Sequence, residues 1–380
     1  MKNKIITLMT LAFMAVLFPV KLYAGVITMT VGLEVGNNIQ LIFKTAEAKA
    51  MTLEGADLVD EQIQGDYCIR DYTLTSMDVK ITGTITYFCC NDNNLSALDV
   101  TQCPELATLH CHNNDLEALD VTNCPELKVL RCSGNAMLGK LDLKNCTKLI
   151  QLGCSFSGLE ALDVSNCVDL EILHCYGNIL HDLAITNCKK LQKMNCSVNW
   201  LKELNVSECK DLTVLNCNDN DLTSIDVSMC ESLQDLRCGG NQLTKLDVSS
   251  CIGLVKLECY TNQIKGDNMD KLIASLAERE VEDKGMLYIY HNTEDFPEYN
   301  VCTTLQVAEA VKRGWDVLGW TGDSWAPYEG SDPTGIEEMT RAEDADFTDV
   351  YDVLGRRQSA LTRGLNIVKM SNGATVKIMK

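Results

Sequence analysis

The sequence has few basic and few aromatic residues, and each shortage limits what the protein can bind. It has 33 Lys and Arg residues and 53 Asp and Glu residues, which gives a formal net charge of −20. Because phosphate binding needs clustered Lys and Arg, we expect neither nucleic acid nor an anionic membrane surface as a partner. Aromatic residues make up only 6% of the chain, so Leu and Cys supply most of the apolar content.

Catalytic signatures are absent as well. The sequence contains no G-x-S-x-G, no H-E-x-x-H and no phosphate-binding loop. We therefore expect no enzyme and no cofactor. Beyond the N-terminus, no apolar stretch reaches the length of a membrane span, so we expect no transmembrane segment in the mature chain.

The first 24 residues have the pattern of a secretory signal peptide. Lys2 and Lys4 form a basic start, residues 5–20 are apolar, and Ala24 supplies a small residue for cleavage. Residues 1–24 are therefore predicted to be removed during export, so that the mature protein begins near Gly25.

The 20 cysteines follow a fixed spacing. Seventeen of them fall into two series whose steps are 21 residues, with one step of 22 in each series around residues 136–146. The first series is Cys90, Cys111, Cys132, Cys154, Cys175, Cys196, Cys217, Cys238 and Cys259. The second series is Cys103, Cys124, Cys146, Cys167, Cys188, Cys209, Cys230 and Cys251.

The whole repeat reads L-x-x-L-x-C-x-x-N-x-L-x-x-L-D-V-S-x-C-x-x, as in LATLHCHNNDLEALDVTNCPEL over residues 106–127. It resembles the leucine-rich repeat, with Cys in place of the third Leu. The resemblance covers residues 69–265. It implies an α/β repeat fold, a solenoid with a parallel β-sheet on its concave face.

Two columns of the repeat are predicted to point inward. In L-x-C, Leu109 and Cys111 face the core, while His110 and His112 face out. A buried Asn can satisfy backbone groups of the turn and of the next coil. The Asn column is interrupted once, by Ser157, and comprises Asn93, Asn114, Asn135, Asn178, Asn199, Asn220, Asn241 and Asn262. With strands about 4.8 Å apart, about nine coils span on the order of 40 Å.

Three roles are open for the cysteines. The favoured one is structural, since a buried Cys behaves as a small hydrophobe. A ladder of disulfides between coils is the second, although in-register side chains fit the required dihedral poorly. A zinc site is the third, and it lacks a C-x-x-C pair. The residues proposed as structural are Cys111, Cys132, Cys175, Cys196, Cys217 and Cys238.

The segments around the repeats are predicted to cap the solenoid, because its end coils would otherwise expose their core. Residues 25–68 alternate as β-strands and form the N-terminal cap. Residues 69–79 then form a degenerate first coil, with Leu74 and Met77 at the Leu positions. Residues 266–328 form an α/β C-terminal cap in which Trp315, Trp320 and Trp325 serve packing. Residues 329–346 are a polar linker.

Residues 347–380 are predicted to form a small C-terminal β module, with turns at Leu354-Gly355 and Asn372-Gly373. The module resembles the sorting tails of proteins exported by the type IX route of Bacteroidetes. That resemblance implies display on the outer cell surface or release, with the periplasm as the fallback location; the alternative is a hairpin added for stability. The matching segments are Tyr351-Asp352-Val353, Gly355-Arg356-Arg357, Gly364-Leu365-Asn366-Ile367-Val368 and Val376-Lys377-Ile378-Met379-Lys380.

The outward strand positions are the ones that can carry specificity. Tyr, Arg and His are common at binding hot spots, so they mark the ligand-binding candidates. One candidate patch comprises His110, His112, Arg131, His174 and Tyr176, and a second comprises Arg237 and Tyr260.

We predict no metal site, because His174 lies three coils, about 15 Å, from the other two histidines of the first patch. The favoured function is protein recognition or adhesion at the cell surface. The alternative is a glycan-binding module, suited to the Asn, Ser and Tyr content of the concave face.

Overall fold

The computed structural model describes residues 25–280, 282–293, 297–331, 347–352, 357–358, 365–370 and 375–379. The predicted signal peptide, residues 1–24, and most of the predicted linker, residues 332–346, lie outside the described residues. Within those ranges no helix has both the length and the apolar character needed to cross a bilayer.

The N-terminal cap is built from antiparallel strands. Its elements are β1 (Gly25–Val31), β2 (Asn38–Lys44), α1 (Thr45–Ala48), β3 (Thr52–Glu54), β4 (Ala56–Gln64), β5 (Tyr67–Leu74) and β6 (Asp78–Gly83). Strands β1, β3 and β6 form one sheet, whereas β2, β5 and β4 continue the sheet of the repeats. The ring of Phe43 on β2 lies 5.5 Å from that of Phe88 in the first coil, so the cap closes the end of the core.

The prediction of a degenerate first coil over residues 69–79 is wrong. Strand β5 runs antiparallel to both β2 and β4, and Ile69 pairs with Ile42. Leu74 is buried in the cap, but Met77 is 47% exposed and occupies no core position. Leu74 and Met77 have the spacing of Leu positions in a repeat. The segment nevertheless belongs to the cap, because β5 pairs with β2 and β4 in an antiparallel sheet.

Each coil of the repeats consists of short strands joined by turns. The strands are β7 (Tyr87–Cys89), β8 (Leu95–Asp99), β9 (Thr108–His110), β10 (Val129–Arg131), β11 (Gln151–Gly153), β12 (Ala161–Asp163), β13 (Ile172–His174), β14 (Asp182–Ala184), β15 (Lys193–Asn195), β16 (Val214–Asn216), β17 (Asp235–Arg237) and β18 (Lys256–Glu258). One strand per coil enters a parallel, in-register sheet, in which Leu109 pairs with Leu130 and Leu130 with Leu152. Strand β8 pairs with β1, and β12 pairs with β14 on another side of the coils. The predicted solenoid with a parallel sheet is confirmed.

Buried asparagines connect each coil to both neighbours. The Asn114 amide nitrogen donates to the carbonyls of Cys90 and Cys111, and its oxygen accepts the N–H of Asn93 and Leu95. Each bond satisfies a buried backbone group, and three of the four reach the preceding coil. The same pattern recurs along the Asn column, so the coils are held together by side-chain amides as well as by the sheet.

The C-terminal cap continues the same sheet and confirms the α/β prediction. Its elements are α2 (Asp267–Ser275), β19 (Gly285–Tyr290), α3 (Thr304–Lys312), β20 (Trp315–Trp320) and β21 (Trp325–Pro327). Strands β19 and β20 add in parallel to β18, and β21 closes the edge antiparallel to β20. Thr303 caps α3 reciprocally with Gln306. Trp315 is buried, and its indole N–H donates to the carbonyl of Ala277.

The C-terminal β module is a four-stranded antiparallel sheet in the order β23-β22-β24-β25. Its strands are β22 (Phe347–Asp352), β23 (Arg357–Gln358), β24 (Leu365–Met370) and β25 (Thr375–Met379). The two predicted turns, 354–355 and 372–373, fall between consecutive strands of this sheet but lie outside the described residues.

All 20 cysteines are free and buried. Several thiols donate to carbonyls of the preceding coil, such as Cys124 to Val100 at 3.6 Å. Burial raises the thiol pKa, to about 11 for Cys103 and about 12 for Cys124, because the thiolate loses its hydration. The thiolate is the reactive species, so these thiols are protected both by burial and by their pKa.

We expect a thiol reagent at pH 8 to leave the folded protein almost unlabelled and to label all 20 cysteines after unfolding in guanidinium without reductant. Burial and raised pKa values both oppose reaction in the folded state. A total well below 20 in the unfolded chain would instead establish disulfides and contradict free thiols. Labelling of the folded protein should rise only above about pH 10.

Candidate ligand-binding surface on the concave face

The concave face is formed by the outward residues on either side of each strand Leu and Cys. In most coils these positions carry a large or polar side chain, such as His110 and His112 in the second coil. The fourth coil differs, because Gly153 and Ser155 occupy the two positions that flank Cys154. The row of side chains is therefore interrupted at the centre of the face.

That interruption forms an open depression of about 500 Å³, here called the central depression. Arg131 and Ser133 line one side, and His174 and Tyr176 line the other. Its remaining lining residues are His112, Gln151, Leu152, Gly153, Ser155 and Ile172. Four of the five residues in the first predicted patch thus surround one depression.

Ser155 places an unsatisfied hydroxyl in the central depression. The residue is 2% exposed, and its Oγ has no hydrogen-bond partner in the described structure. Elsewhere in this column the side chain accepts the next coil's backbone N–H, as Ser133 does from Ser155 and Asn218 from Gly239. A buried polar group without a partner is unfavourable, so Ser155 is a site where a ligand group would gain a hydrogen bond.

The central depression contains an arginine that has no carboxylate partner in the described part of the chain, and the chain is strongly acidic overall. Among the described residues, no carboxylate lies within ion-pair distance of Arg131. Burial lowers the pKa of His174, and the charges of Arg131 and Lys193 lower it further. The charged neighbours of this imidazole are therefore cations, which favours an anionic ligand group.

His110 is the one member of the first patch outside the depression. Its ring lies 5.5 Å from that of Tyr87, which in turn contacts Tyr67 of the cap at 4.8 Å. Burial, followed by the charge of Arg131, lowers the pKa of His110 to about 4, so the ring is neutral at physiological pH. His110 therefore belongs to an aromatic group at the N-terminal end of the concave face.

Both residues of the second predicted patch make contacts with neighbouring residues of the concave face. Arg237 pairs with Asp235 at 2.7 Å and lies 3.8 Å from Glu258, which also pairs with Lys256. The ring of Tyr260 lies across Gly239, where a Cβ would come within 2.8 Å of it. Both predicted residues thus contribute to an internal network, and Arg237 has its charge neutralised.

An aromatic cluster at the C-terminal end of the concave face was not expected from the sequence. Tyr260 lies 5.2 Å from Trp325, Tyr288 lies 4.9 Å from Trp325, and Trp320 lies 5.6 Å from Trp325. Trp320 and Trp325 had been assigned to packing, yet both remain partly exposed. The cluster arises because β21 turns back along β20, which places the two tryptophans opposite each other.

Two residues after each Cys of the first series, the backbone enters the left-handed region. We call these positions the left-handed column: Asp92, Asn113, Gly134, Phe156, Gly177, Val198, Asp219, Gly240 and Thr261. Gly, Asn and Asp tolerate this conformation, whereas other residues lose roughly 1–2 kcal/mol. Phe156 and Val198 are therefore strained, at φ of 52° and 55°. Both flank Gly177 in this column, and the ring of Phe156 contacts that of Tyr176, which lines the central depression.

A metal site is not apparent on this surface. Within the described ranges, no group of three His, Cys, Asp or Glu side chains is placed to hold a metal ion. The two histidines that line the depression, His112 and His174, lie three coils apart, with Arg131 and Gly153 in the coils between them. The geometry is that of an open polar surface with one cationic centre.

Ser155 and Ser157 give opposite expectations for stability. Replacing Ser155 by Ala removes an unsatisfied hydroxyl and should leave the free energy of unfolding unchanged or raise it by up to about 1 kcal/mol. Ser157→Ala is the matched control, because the Oγ of Ser157 donates hydrogen bonds of 3.2 Å to the carbonyl oxygens of Cys132 and Ser155. That variant should lose about 1 kcal/mol in a denaturant titration. Equal losses in both variants would show that Ser155 has a partner after all.

Comparisons with known proteins found distant structural likenesses. No family model and no curated protein sequence matches the chain. Among solved structures, the functional domain of InlJ from Listeria monocytogenes, which includes a cysteine ladder, is 19% identical, with 80% of this chain and 92% of that chain covered and a TM-score of 0.41. Internalin C2 from the same organism is 19% identical over 46% of this chain and 78% of its own, with a TM-score of 0.38.

The effector YopM from Yersinia pestis is 20% identical, with 57% of this chain and 61% of that chain covered and a TM-score of 0.44. These likenesses are distant, so the assignment depends on the chain itself. The 21-residue repeat supplies the Leu, Cys and Asn columns, and the strands of successive coils pair in parallel and in register. The chain therefore folds as a parallel solenoid whose repeat resembles the leucine-rich repeat, with a β cap at its N-terminal end and an α/β cap at its C-terminal end.

Proposed function

We propose that this chain is an exported cell-surface protein that recognises a protein ligand through its concave face. The observation that carries the proposal is the central depression, where Gly153 and Ser155 interrupt the row of concave side chains. Arg131, His174 and Tyr176 surround the gap, and these residue types are common at binding hot spots. Specificity is then carried by the outward positions, and the inward columns serve only stability. No enzymatic activity is part of this proposal.

Export and display are supported by the two ends of the sequence. Residues 1–24 have the pattern of a signal peptide, and residues 347–380 resemble sorting tails of the type IX route. The tail forms a separate antiparallel sheet, as expected for a small module with its own fold. A surface location brings the concave face to ligands outside the cell, including those of other cells.

A location test uses intact producing cells. We expect added protease to remove the solenoid, detected with an antibody to residues 87–258, while a periplasmic marker stays intact. Loss of both signals would mean only that the cells had opened, so the marker is the control. Full protection of the solenoid in sealed cells would contradict surface display and place the protein in the periplasm.

A binding test fills the central depression. Gly153 has no positive φ, and a Cβ there would meet Ser133 Oγ at 3.5 Å, so Gly153→Tyr should fold and occupy the gap. Gly253→Tyr is the matched control, because Gly253 lies on an exposed turn before β18, where a Cβ would meet only a carbonyl oxygen at 3.8 Å. The full chain and both variants are panned against a displayed library of random peptides.

Peptides enriched on the full chain and on Gly253→Tyr should bind Gly153→Tyr at least about tenfold more weakly, because their contact surface is filled. Equal binding to all three proteins would exclude the depression as the recognition site. Melting curves of the two variants establish that both are folded before binding is compared.

A glycan-binding module is the second candidate, and the C-terminal aromatic cluster favours it. Trp320 and Trp325 are partly exposed, and aromatic rings of this kind can pack against sugar rings. A glycan array probed with the full chain and with Trp320→Ala separates the two functions. Hits lost in Trp320→Ala but kept in Gly153→Tyr would replace protein recognition by glycan recognition.

A further inference from the structure

Three exposed apolar side chains form a surface beside the central depression, here called the apolar shelf. They are Phe156, Val198 and Trp200, which are 54%, 52% and 51% exposed. Phe156 follows Ser155 directly, and its ring meets Tyr176 edge-on at 5.0 Å. Because Tyr176 lines the depression, the shelf and the depression share a wall.

Two residues of the apolar shelf have a strained backbone conformation. Phe156 and Val198 occupy the left-handed column, where most other coils have Gly, Asn or Asp. Thr261 is also unusual there, but it has an internal role, since its hydroxyl donates to the carbonyl of His291. Phe156 and Val198 gain little burial in return for backbone strain. Strain of this kind, together with exposure, indicates a functional constraint.

Gly177 gives the shelf its shape. It lies between Phe156 and Val198 in the left-handed column, and a Cβ at that position would come within 2.3 Å of the Phe156 ring. The absence of a side chain there lets the ring lie along the column toward the next coil. Trp200 follows Val198 by two residues in the same coil, and its ring lies 5.1 Å from that of His181.

The adjoining depression offers a different chemistry. It contains the guanidinium of Arg131, which has no carboxylate partner among the described residues, and the unsatisfied hydroxyl of Ser155. A carboxylate would accept hydrogen bonds from both groups, and an Arg–carboxylate pair is a strong charge-assisted contact. An acidic ligand group is therefore complementary to the depression, and an apolar group is complementary to the shelf.

We propose that the ligand is a protein segment in which an acidic side chain enters the central depression against Arg131 and Ser155, while a large apolar side chain covers Phe156, Val198 and Trp200. This inference rests on the proposed function and specifies its ligand. Arg131 lies one coil from Phe156 and three coils from Val198 and Trp200, about 5 to 15 Å, which an extended segment spans in two to five residues.

A protein segment fits both subsites better than an acidic sugar does. A sugar carboxylate could meet Arg131, but a sugar ring carries hydroxyls over most of its surface. Val198 offers an aliphatic contact without a hydrogen-bonding group, which favours Leu, Ile or Phe on the ligand. The experiment must therefore also be able to detect binding of acidic glycans.

The experiment pans the full chain against a library of random twelve-residue peptides and sequences the enriched pool. We expect Asp or Glu to be enriched two to five positions from Leu, Ile, Phe or Trp. Arg131→Gln should weaken such peptides about tenfold and abolish the acidic preference, because the cation is lost. Binding of the unmodified chain should also weaken with added salt.

Val198→Asn tests the shelf without harming the fold. Asn tolerates the left-handed conformation, so this variant should melt at a temperature equal to or above that of the unmodified chain, yet bind the peptides about five- to tenfold more weakly. Ile252→Asn is the matched control, because Ile252 is 76% exposed on the convex side. It should leave binding unchanged.

Failure of the inference and failure of the proposed function give different results. If Gly153→Tyr blocks binding but the enriched peptides lack the acidic–apolar pair, protein recognition stands and the ligand assignment falls. If Arg131→Gln and Val198→Asn bind as the unmodified chain does, the assignment falls as well. If no peptide is enriched and an array of acidic glycans is bound instead, both fall.

Discussion

The structure depends on one constraint: a 21-residue coil cannot satisfy its own backbone hydrogen bonds. The Asn column supplies the missing partners, and therefore each coil requires a neighbour on both sides. The caps meet the same requirement at the ends of the array. At the N-terminal end the backbone of Gln40 exchanges hydrogen bonds with Asn93, at 2.9 and 2.8 Å. At the C-terminal end Asn300 accepts the N–H of Ile264 and donates to the carbonyl of Cys259. Asn300 is the last member of the column, although it lies outside the 21-residue spacing.

Sequence periodicity was enough to predict the solenoid and its inward columns, because each of those positions is defined within one repeat. It did not identify Asn300, which reaches its place only after the chain has passed through α2 and β19. Nor did it identify β5 as a cap strand, since the pairing with β2 and β4 involves contacts between different hairpins. The aromatic cluster was missed for a similar reason, because the reversal of β21 against β20 brings Trp325 back to the concave face.

Arg131 and Arg237 occupy equivalent positions in their coils but differ in electrostatic role. In a parallel in-register sheet, the residues one repeat away are the cross-strand neighbours of a side chain. Arg237 has Glu258 in the following coil and is neutralised, whereas Arg131 has Gly153 and retains its charge. The sequence already contained this distinction, since comparing each outward residue with the one a repeat later would have separated the two patches. Residue type alone gave both arginines equal weight.

The departures from the consensus are concentrated in one region, and they are physically linked. The extra residue of the 22-residue step lets Leu138 donate to the carbonyl of Asn135 in its own coil, so that its N–H needs no acceptor from the next coil. In other coils that N–H, 19 residues before the column position, bonds the Asn side chain, as Leu116 does with Asn135. Ser157 can therefore replace Asn without leaving Leu138 unpaired. The gap at Gly153, the unsatisfied Ser155 and the strained Phe156 all precede Ser157 in the same coil. Departures from local structural rules usually occur at functional sites. This coil departs from the pattern of the other repeats at four of the five positions from 153 to 157.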